Sequence, residues 1–243
     1  MNKDVMVIVQ ARMGSRRLPH KSCLKLGNNK IVEWVIKRLK KSKKCKNIIL
    51  ATTTKKEDKK LIKIAKNNNI LFFRGSGDNV LKRFYDAAKK FRLKNIVRVC
   101  ADRPFICPSE IDLLVSAYFK NGKKYVFNDR NFKKSQYTDG FGAEVFSFKE
   151  LKFLYKNSFL KTHKEHVTTF FWDNASRKKL TPGKTNIPKT RRYLRAVIDT
   201  KEVFRIMNSF VKKFSINIDT NTKDIVNNLH KYKDAKQLLV KRN

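Results

Sequence analysis

Two sets of side chains in this sequence have the types and spacing to do chemistry. The first lies near the amino terminus. The apolar run Val7-Ile8-Val9-Gln10 leads into Ala11-Arg12-Met13-Gly14-Ser15-Arg16-Arg17-Leu18-Pro19-His20-Lys21. Glycine lets a backbone approach a ligand closely, exposed backbone N–H groups accept anions, and the cations neutralise phosphate charge. The plainer reading of the same residues is a solvated basic turn. With a single glycine, the loop fits neither the Walker nor the dinucleotide signature. The second set is a pair of aspartates. Asp102 follows Asn95–Ala101 and Asp199 follows Leu194–Ile198, both runs read as strands. A carboxylate leaving the carboxyl end of a parallel strand is placed to hold Mg²⁺. Asp102 equally fits a turn before Pro104, and Thr200 fits a helix cap after Asp199.

These residues need a scaffold, and the pattern supplies one. Strands are expected at 5–10, 47–53, 70–73, 95–101, 125–128 and 194–200. Between them, Ile31, Trp34, Val35 and Leu39 recur at helical spacing, as do Leu61, Ile64 and Ala65 in a lysine-rich helix near 56–68. A further helix opens on Pro108, with Ile111, Leu114 and Val115 inward. Alternation of strands and helices at this spacing implies right-handed βαβ units and a parallel sheet. In such a sheet the strand ends share one edge, so Asp102 and Asp199 are expected to meet at one Mg²⁺ site. Amphipathic helix is expected again from 221 to 239. No repeat or linker divides the chain, which reads as one domain over 1–243.

The totals bound the function. A chain of 243 residues with 41% hydrophobic and 11% aromatic content can bury a sizeable core. No apolar run reaches the roughly 18 residues that span a bilayer, and the start does not resemble a signal peptide. A cytoplasmic enzyme without membrane insertion is expected. The cysteines Cys23, Cys45, Cys100 and Cys107 have no paired C-x-x-C spacing, which argues against zinc and a disulfide framework. The net charge of +38 raises nucleic acid as a partner. Yet the lysine pairs are scattered along the whole chain on polar helix faces, so no specific nucleic-acid site is expected. His163 and His166 are three residues apart and could share a helix face, but no third ligand is nearby. Gly183-Lys184-Thr185 resembles the end of a Walker loop, but Lys178 stands where its first glycine belongs.

The motif Ala11-Arg12-Met13-Gly14-Ser15-x-Arg17-Leu18-Pro19-x-Lys21 closely resembles the opening of the CTP-dependent cytidylyltransferases that activate acidic sugars. The wording is nearest the spore-coat polysaccharide branch; CMP-KDO and CMP-sialic acid synthetases are more distant relatives. The resemblance implies that Ala11, Arg12, Gly14, Ser15 and Lys21 grip the triphosphate, with Arg12 and Lys21 catalytic. Four more segments follow in the family's order. Arg74-Gly75-Ser76-Gly77-Asp78-Asn79-Val80-Leu81-Lys82-Arg83 resembles the segment beside the nucleotide, which implies contacts from Arg74, Ser76 and Asp78. Asp102-Arg103-Pro104-Phe105-Ile106 resembles the Mg²⁺-binding motif, although Arg103 stands where cysteine or glutamate is expected.

Asp139-Gly140-Phe141-Gly142-Ala143-Glu144-Val145-Phe146 resembles a segment lining the sugar site, where an acidic residue is commoner at Gly142. Asp139 and Glu144 are therefore expected to touch substrate hydroxyls. A turn aspartate and a strand-edge glutamate describe them as well. Lys164-Glu165-His166-Val167-Thr168 resembles an Arg-Glu-His-Val-Thr helix start, which implies a sugar or bracing role for His166. Val197-Ile198-Asp199-Thr200 resembles the ending whose aspartate is the second metal ligand.

The fold so implied is a Rossmann-like α/β nucleotidyltransferase domain, its mostly parallel mixed sheet flanked by helices. A small insert at about 128–175 would serve a homodimer. The reaction implied is CTP plus an acidic, nonulosonic-acid-like sugar giving the CMP-sugar and pyrophosphate. Two alternatives stay open: a glycosyltransferase of related fold, which usually carries an Asp-x-Asp motif absent here, and a basic nucleic-acid-binding protein.

Overall fold

In the computed structural model, the described residues are 5–120, 122, 125–128, 139–174, 181–182, 185–187 and 194–234. The chain opens with β1 (Val5–Gln10), then a short hairpin of β2 (Lys25–Leu26) and β3 (Asn29–Lys30). Next come α1 (Ile31–Leu39), β4 (Ile48–Thr53), α2 (Lys59–Asn67), β5 (Leu71–Gly75), α3 (Val80–Lys90) and β6 (Asn95–Cys100). Then follow α4 (Pro108–Lys120), β7 (Tyr125–Phe127), β8 (Glu144–Ser147), α5 (Phe148–Asn157), α6 (Lys161–Glu165), α7 (Thr169–Asp173) and β9 (Thr181–Pro182). The last two helices are α8 (Lys201–Lys213) and α9 (Thr222–Lys231).

The sheet runs β5-β4-β1-β6-β8-β7-β9. β5, β4, β1 and β6 are parallel, while β8 runs antiparallel to both β6 and β7. This is the mostly parallel mixed sheet expected from the sequence. The chain winds outward from β1 through β4 to β5, then returns to place β6 on the other side of β1. That reversal is a topological switch point, and the loops after β1 and β6 part there to leave a crevice. Pairing of Gln10 with Cys100 sets the two strand ends level, so both loops open at one height.

Alternation along the strands divides the core. Val5, Val7 and Val9 face one side, where they meet Val32, Val35 and Leu39 of α1, Leu61 of α2 and Leu114 of α4. Ile8, Ile49 and Ile96 face the other side, against Leu81 and Phe84 of α3 and Leu151 and Leu154 of α5. A third cluster joins Ile31 and Trp34 of α1 to Phe210 of α8, Ile225 of α9, and the segment Leu194–Ile198. α1 buries residues on two sides because it lies between the sheet and the carboxyl-terminal helices. Arg38 fastens that join from within. Buried, it donates to the carbonyls of Ile106, Ile218 and Thr220 and to the Thr222 hydroxyl.

Two expectations need correction. Residues 194–200 do not form a core strand: they run extended, with an isolated bridge between Arg195 and Asp139. The 128–175 segment is not wholly an insert, because β8 lies inside the main sheet between β6 and β7. Of the expected carboxyl-terminal helix, α9 is present and residues 235–239 lie outside the described part. Gly183 and Lys184 also lie outside it.

Candidate nucleotide and metal site

The basic loop is pinned to the sheet edge by a residue that no motif flagged. Asp58, fully buried, accepts the Met13 N–H at 2.8 Å, the Thr52 hydroxyl at 2.9 Å and the Thr53 N–H at 3.0 Å, and the Thr53 hydroxyl as well. A buried carboxylate persists only when its oxygens are paired, and here the pairing ties the loop after β1 to the end of β4. Within the loop, Met13 carbonyl accepts from the N–H groups of Ser15 (2.8 Å) and His20 (3.0 Å), curling 13–20 into a tight turn. Arg12 reaches across to the Gly77 carbonyl at 3.2 Å and to Glu165 Oε1 at 3.4 Å. Arg12, Gly14, Thr53, Lys55, Glu57 and Gly77 line a narrow pit.

The segment after β5 walls this pit. Arg83, buried, donates to the Ser76 carbonyl at 2.6 Å, and the Ser76 hydroxyl accepts the Asn79 N–H at 3.0 Å. Asn79, not Asp78, caps α3 by accepting the Lys82 N–H, while Asp78 stays exposed. Arg74 donates to the carbonyls of Thr53, Thr54 and Lys55, so it braces the pit wall instead of pointing at a nucleotide. Burial pushes the Arg83 guanidinium down to about 10, and the charge of Arg12 adds to the effect. Cations crowded enough to disfavour one another make a site that an anion relieves.

The backbone of Asp102 runs beside that of Ile198 and Asp199, by a different route from the one expected. Asp102 follows the end of β6, and its carbonyl accepts the Ile198 N–H at 2.9 Å. Asp199 is the next residue. Lys21 Nζ lies 2.6 Å from Asp102 Oδ2, so the basic loop and the carboxylates share one crevice. Burial raises the Asp102 carboxyl, but the charge and hydrogen bond of Lys21, with Arg103 and Arg195, outweigh it and hold the group below the usual carboxylate range. Asp199 Oδ2 faces Arg195 Nη1 at 2.9 Å and Arg17 Nη1 at 3.1 Å. The Asp102 side chain is 19% exposed, and that of Asp199 is buried. Among the described residues, no three His, Cys, Asp or Glu side chains cluster as a complete metal cage. Two carboxylates completed by phosphate oxygens are the donor set that suits Mg²⁺.

The sugar-side expectations divide. Glu144 is not a substrate contact. It is fully buried, bound by Arg98 Nη1 at 2.6 Å, by the Tyr125 hydroxyl at 2.8 Å and by the Thr168 hydroxyl at 2.9 and 3.0 Å. Both of its oxygens are committed to joining β6, β7 and α7. Asp139 shares Arg195 with Asp199, facing Arg195 Nε at 3.5 Å and Arg103 Nη1 at 3.8 Å. His166 lies just past the end of α6 and is exposed, whereas His163 is buried with Nε2 3.0 Å from Asp173. The two histidines therefore do not share a face.

Gly142 has a steric explanation. A Cβ there would lie 2.1 Å from the Asn128 carbonyl oxygen, so the acidic residue commoner at this position has no room. Gly140, at φ +108°, likewise lets the 139–143 segment pass against the Ala196 backbone. All four cysteines are free thiols. Among the described residues, no helix is long and apolar enough to cross a membrane.

A family model described as cytidylyltransferase matches residues 6–243. An uncharacterized protein of Methanocaldococcus jannaschii is 35% identical over 231 residues, spanning 95% of this chain and 92% of its own. The spore coat polysaccharide biosynthesis protein SpsF of Bacillus subtilis is 27% identical over 241 residues, 96% of each chain. Among solved structures, a cytidylyltransferase from Leptospira borgpetersenii serovar Hardjo-bovis superposes with a TM-score of 0.86 at 29% identity over 99% of both chains. CMP:2-keto-3-deoxy-manno-octonic acid synthetase, solved with CTP, shares the fold at a TM-score of 0.63 and 10% identity, covering 86% of this chain and 99% of its own.

Proposed function

The chain belongs to the cytidylyltransferase family, and on that premise we propose that it transfers CMP from CTP to an acidic sugar of the nonulosonic kind, releasing pyrophosphate, in surface polysaccharide or glycan synthesis. The observation that carries this reading is the meeting of Lys21 with Asp102 across the switch-point crevice, beside Asp199. It joins phosphate-binding cations to a carboxylate pair at the edge where open α/β sheets bind nucleotides. Relatives concerned with spore coat polysaccharide and with an acidic sugar support the substrate class. Family membership favours transfer from CTP over the glycosyltransferase and nucleic-acid-binding alternatives.

In the reaction, a hydroxyl oxygen of the sugar attacks the α-phosphorus of CTP as the bond to pyrophosphate breaks. Positioning and charge neutralisation carry most of such a transfer. Arg12 and Lys21 hold the β- and γ-phosphates and neutralise the departing pyrophosphate. Gly14 lets the phosphates approach the loop without side-chain bulk. Asp102 and Asp199 would hold Mg²⁺, which supplies charge neutralisation and lowers the pKa of a bound hydroxyl. Glu165, paired to Arg12, links the triphosphate side to α6, where His166 is exposed for sugar contact.

The reading includes a cytoplasmic homodimer, CTP being a cytoplasmic metabolite. Phe153, Phe159 and Leu160, with Phe159 78% exposed, give the α5–α6 corner an apolar surface for that contact. The decisive experiment incubates the protein and Mg²⁺ with each nucleoside triphosphate and a panel of acid sugars. Pyrophosphate release that requires both CTP and an acid sugar is the expected result. Release with a neutral sugar, or with another triphosphate in preference, would replace this reading.

A further inference from the structure

Arg195 belongs to no motif that pointed to the site, yet it stands at the centre of the acidic cluster. Its Nη1 lies 2.9 Å from Asp199 Oδ2 and its Nε 3.5 Å from Asp139 Oδ2. Two carboxylates therefore converge on one guanidinium, whose charge also reaches Asp102. Lys21 holds Asp102 Oδ2 at 2.6 Å from the loop side, and Arg17 reaches the same Asp199 oxygen at 3.1 Å. The cations suited to phosphate and the carboxylates suited to metal satisfy each other.

We propose that Arg195 is an internal counter-ion that stands in the metal position, keeps a divalent cation from binding on its own, and makes metal and nucleotide bind with mutual dependence. This rests on the metal role assigned to Asp102 and Asp199 above. A divalent ion approaching Asp199 meets a guanidinium already on that oxygen, and it must repel or displace it. The displaced cation needs an anion, and a triphosphate supplies one. Conversely, a triphosphate that draws Lys21 and Arg17 away uncovers carboxylates that need a cation. Each ligand removes an obstacle to the other, and such coupling is reciprocal by thermodynamic necessity. Arg195 can yield because its side chain is 36% exposed.

The rival view makes Arg195 a structural tie between Asp139 and the 194–199 segment. The two views predict opposite signs. If Arg195 is a tie, removing it loosens the carboxylates and weakens metal binding. If it is a counter-ion, removing it strengthens binding of metal alone.

The probe is Mn²⁺ without nucleotide, titrated by the electron paramagnetic resonance of the free ion, on wild type, Arg195→Met and Asp199→Asn. Arg195→Met is expected to bind Mn²⁺ about tenfold more tightly than wild type, a factor usual for coupled sites. The extra affinity that saturating CTP brings should shrink correspondingly in that variant. Arg195→Gln, titrated alongside, gives the same readout if the methionine variant does not fold. Equal or weaker Mn²⁺ binding in folded variants, judged by a wild-type thermal transition, overturns the proposal. If wild type with CTP shows no Mn²⁺ binding that Asp199→Asn removes, the metal role itself falls, and this inference with it.

Discussion

Ile198 donates its backbone N–H to the carbonyl of Asp102 at 2.9 Å, and this one bond sets Asp199 beside a residue 97 positions earlier in the chain. Neither partner lies within a strand of the main sheet. The carboxylate pair is thus assembled by a loop after β6 and an extended segment before α8. Thr200 then caps α8 by accepting the Val203 N–H, which fixes where the extended segment ends.

Asp102→Asn and Asp199→Asn should each lower turnover by orders of magnitude, with the double variant little worse than the worse single one, because groups that act as a unit are not additive. Steady-state kinetics of the three variants checks this. A double variant whose loss equals the product of the single losses would mean that the two carboxylates work separately.

Arg12→Ala and Lys21→Ala should weaken CTP use by about 10- to 1,000-fold while thermal unfolding stays near that of wild type. Both side chains reach into the crevice from a loop whose fold depends on Asp58 and the Met13 carbonyl. Wild-type kinetics in both variants would remove the loop from the site.

Glu144→Gln should act on stability. Removing one charge from a buried ion pair costs about 3–5 kcal/mol. Urea unfolding measures it. A kinetic defect for the sugar without loss of stability would return Glu144 to the substrate site.

Burial pushes the Cys45 thiol up to about 12 from an ordinary 9.0. The folded state therefore keeps the proton over a range where the unfolded chain has lost it. Stability that is fully present below about pH 9 should fall as pH rises toward 12, by up to about 1.4 kcal/mol per pH unit from this group. Because many lysines titrate in the same range, the difference between wild type and Cys45→Ala isolates the effect. That difference should shrink with rising pH, and a constant difference would contradict it. Iodoacetamide at pH 8 should spare Cys45 until the protein unfolds.

Phe159→Asp should convert a dimer to monomers in sedimentation velocity and leave the unfolding transition in place, since the ring is exposed and outside the core. A variant that still sediments as a dimer would move the interface away from the α5–α6 corner.

Local patterns alone carried a large part of this. α1 spans 31–39 as its apolar spacing required, β6 starts at Asn95, and Pro108 opens α4, because buried faces and the fixed φ of proline are written in neighbouring residues. The basic loop and Asp102 were legible for the same reason: each follows a run rich in β-branched residues that forms a buried strand. What local patterns could not decide is where a side chain spends its hydrogen bonds. Glu144 and Asp139 stand five residues apart in one motif, yet one is sealed beneath the sheet by Arg98, Tyr125 and Thr168 while the other faces Arg103 and Arg195. Asp58 looked like one more charge in a lysine-rich stretch, and Arg195 like part of a strand. The sequence by itself determined the strands and helices of the parallel half, β1 to α4, and which family they resemble, since those depend on neighbours and on order. Only the tertiary structure decided which charges meet across 81 residues, as Lys21 and Asp102 do, because an ion pair depends on distance in space and on exclusion of water.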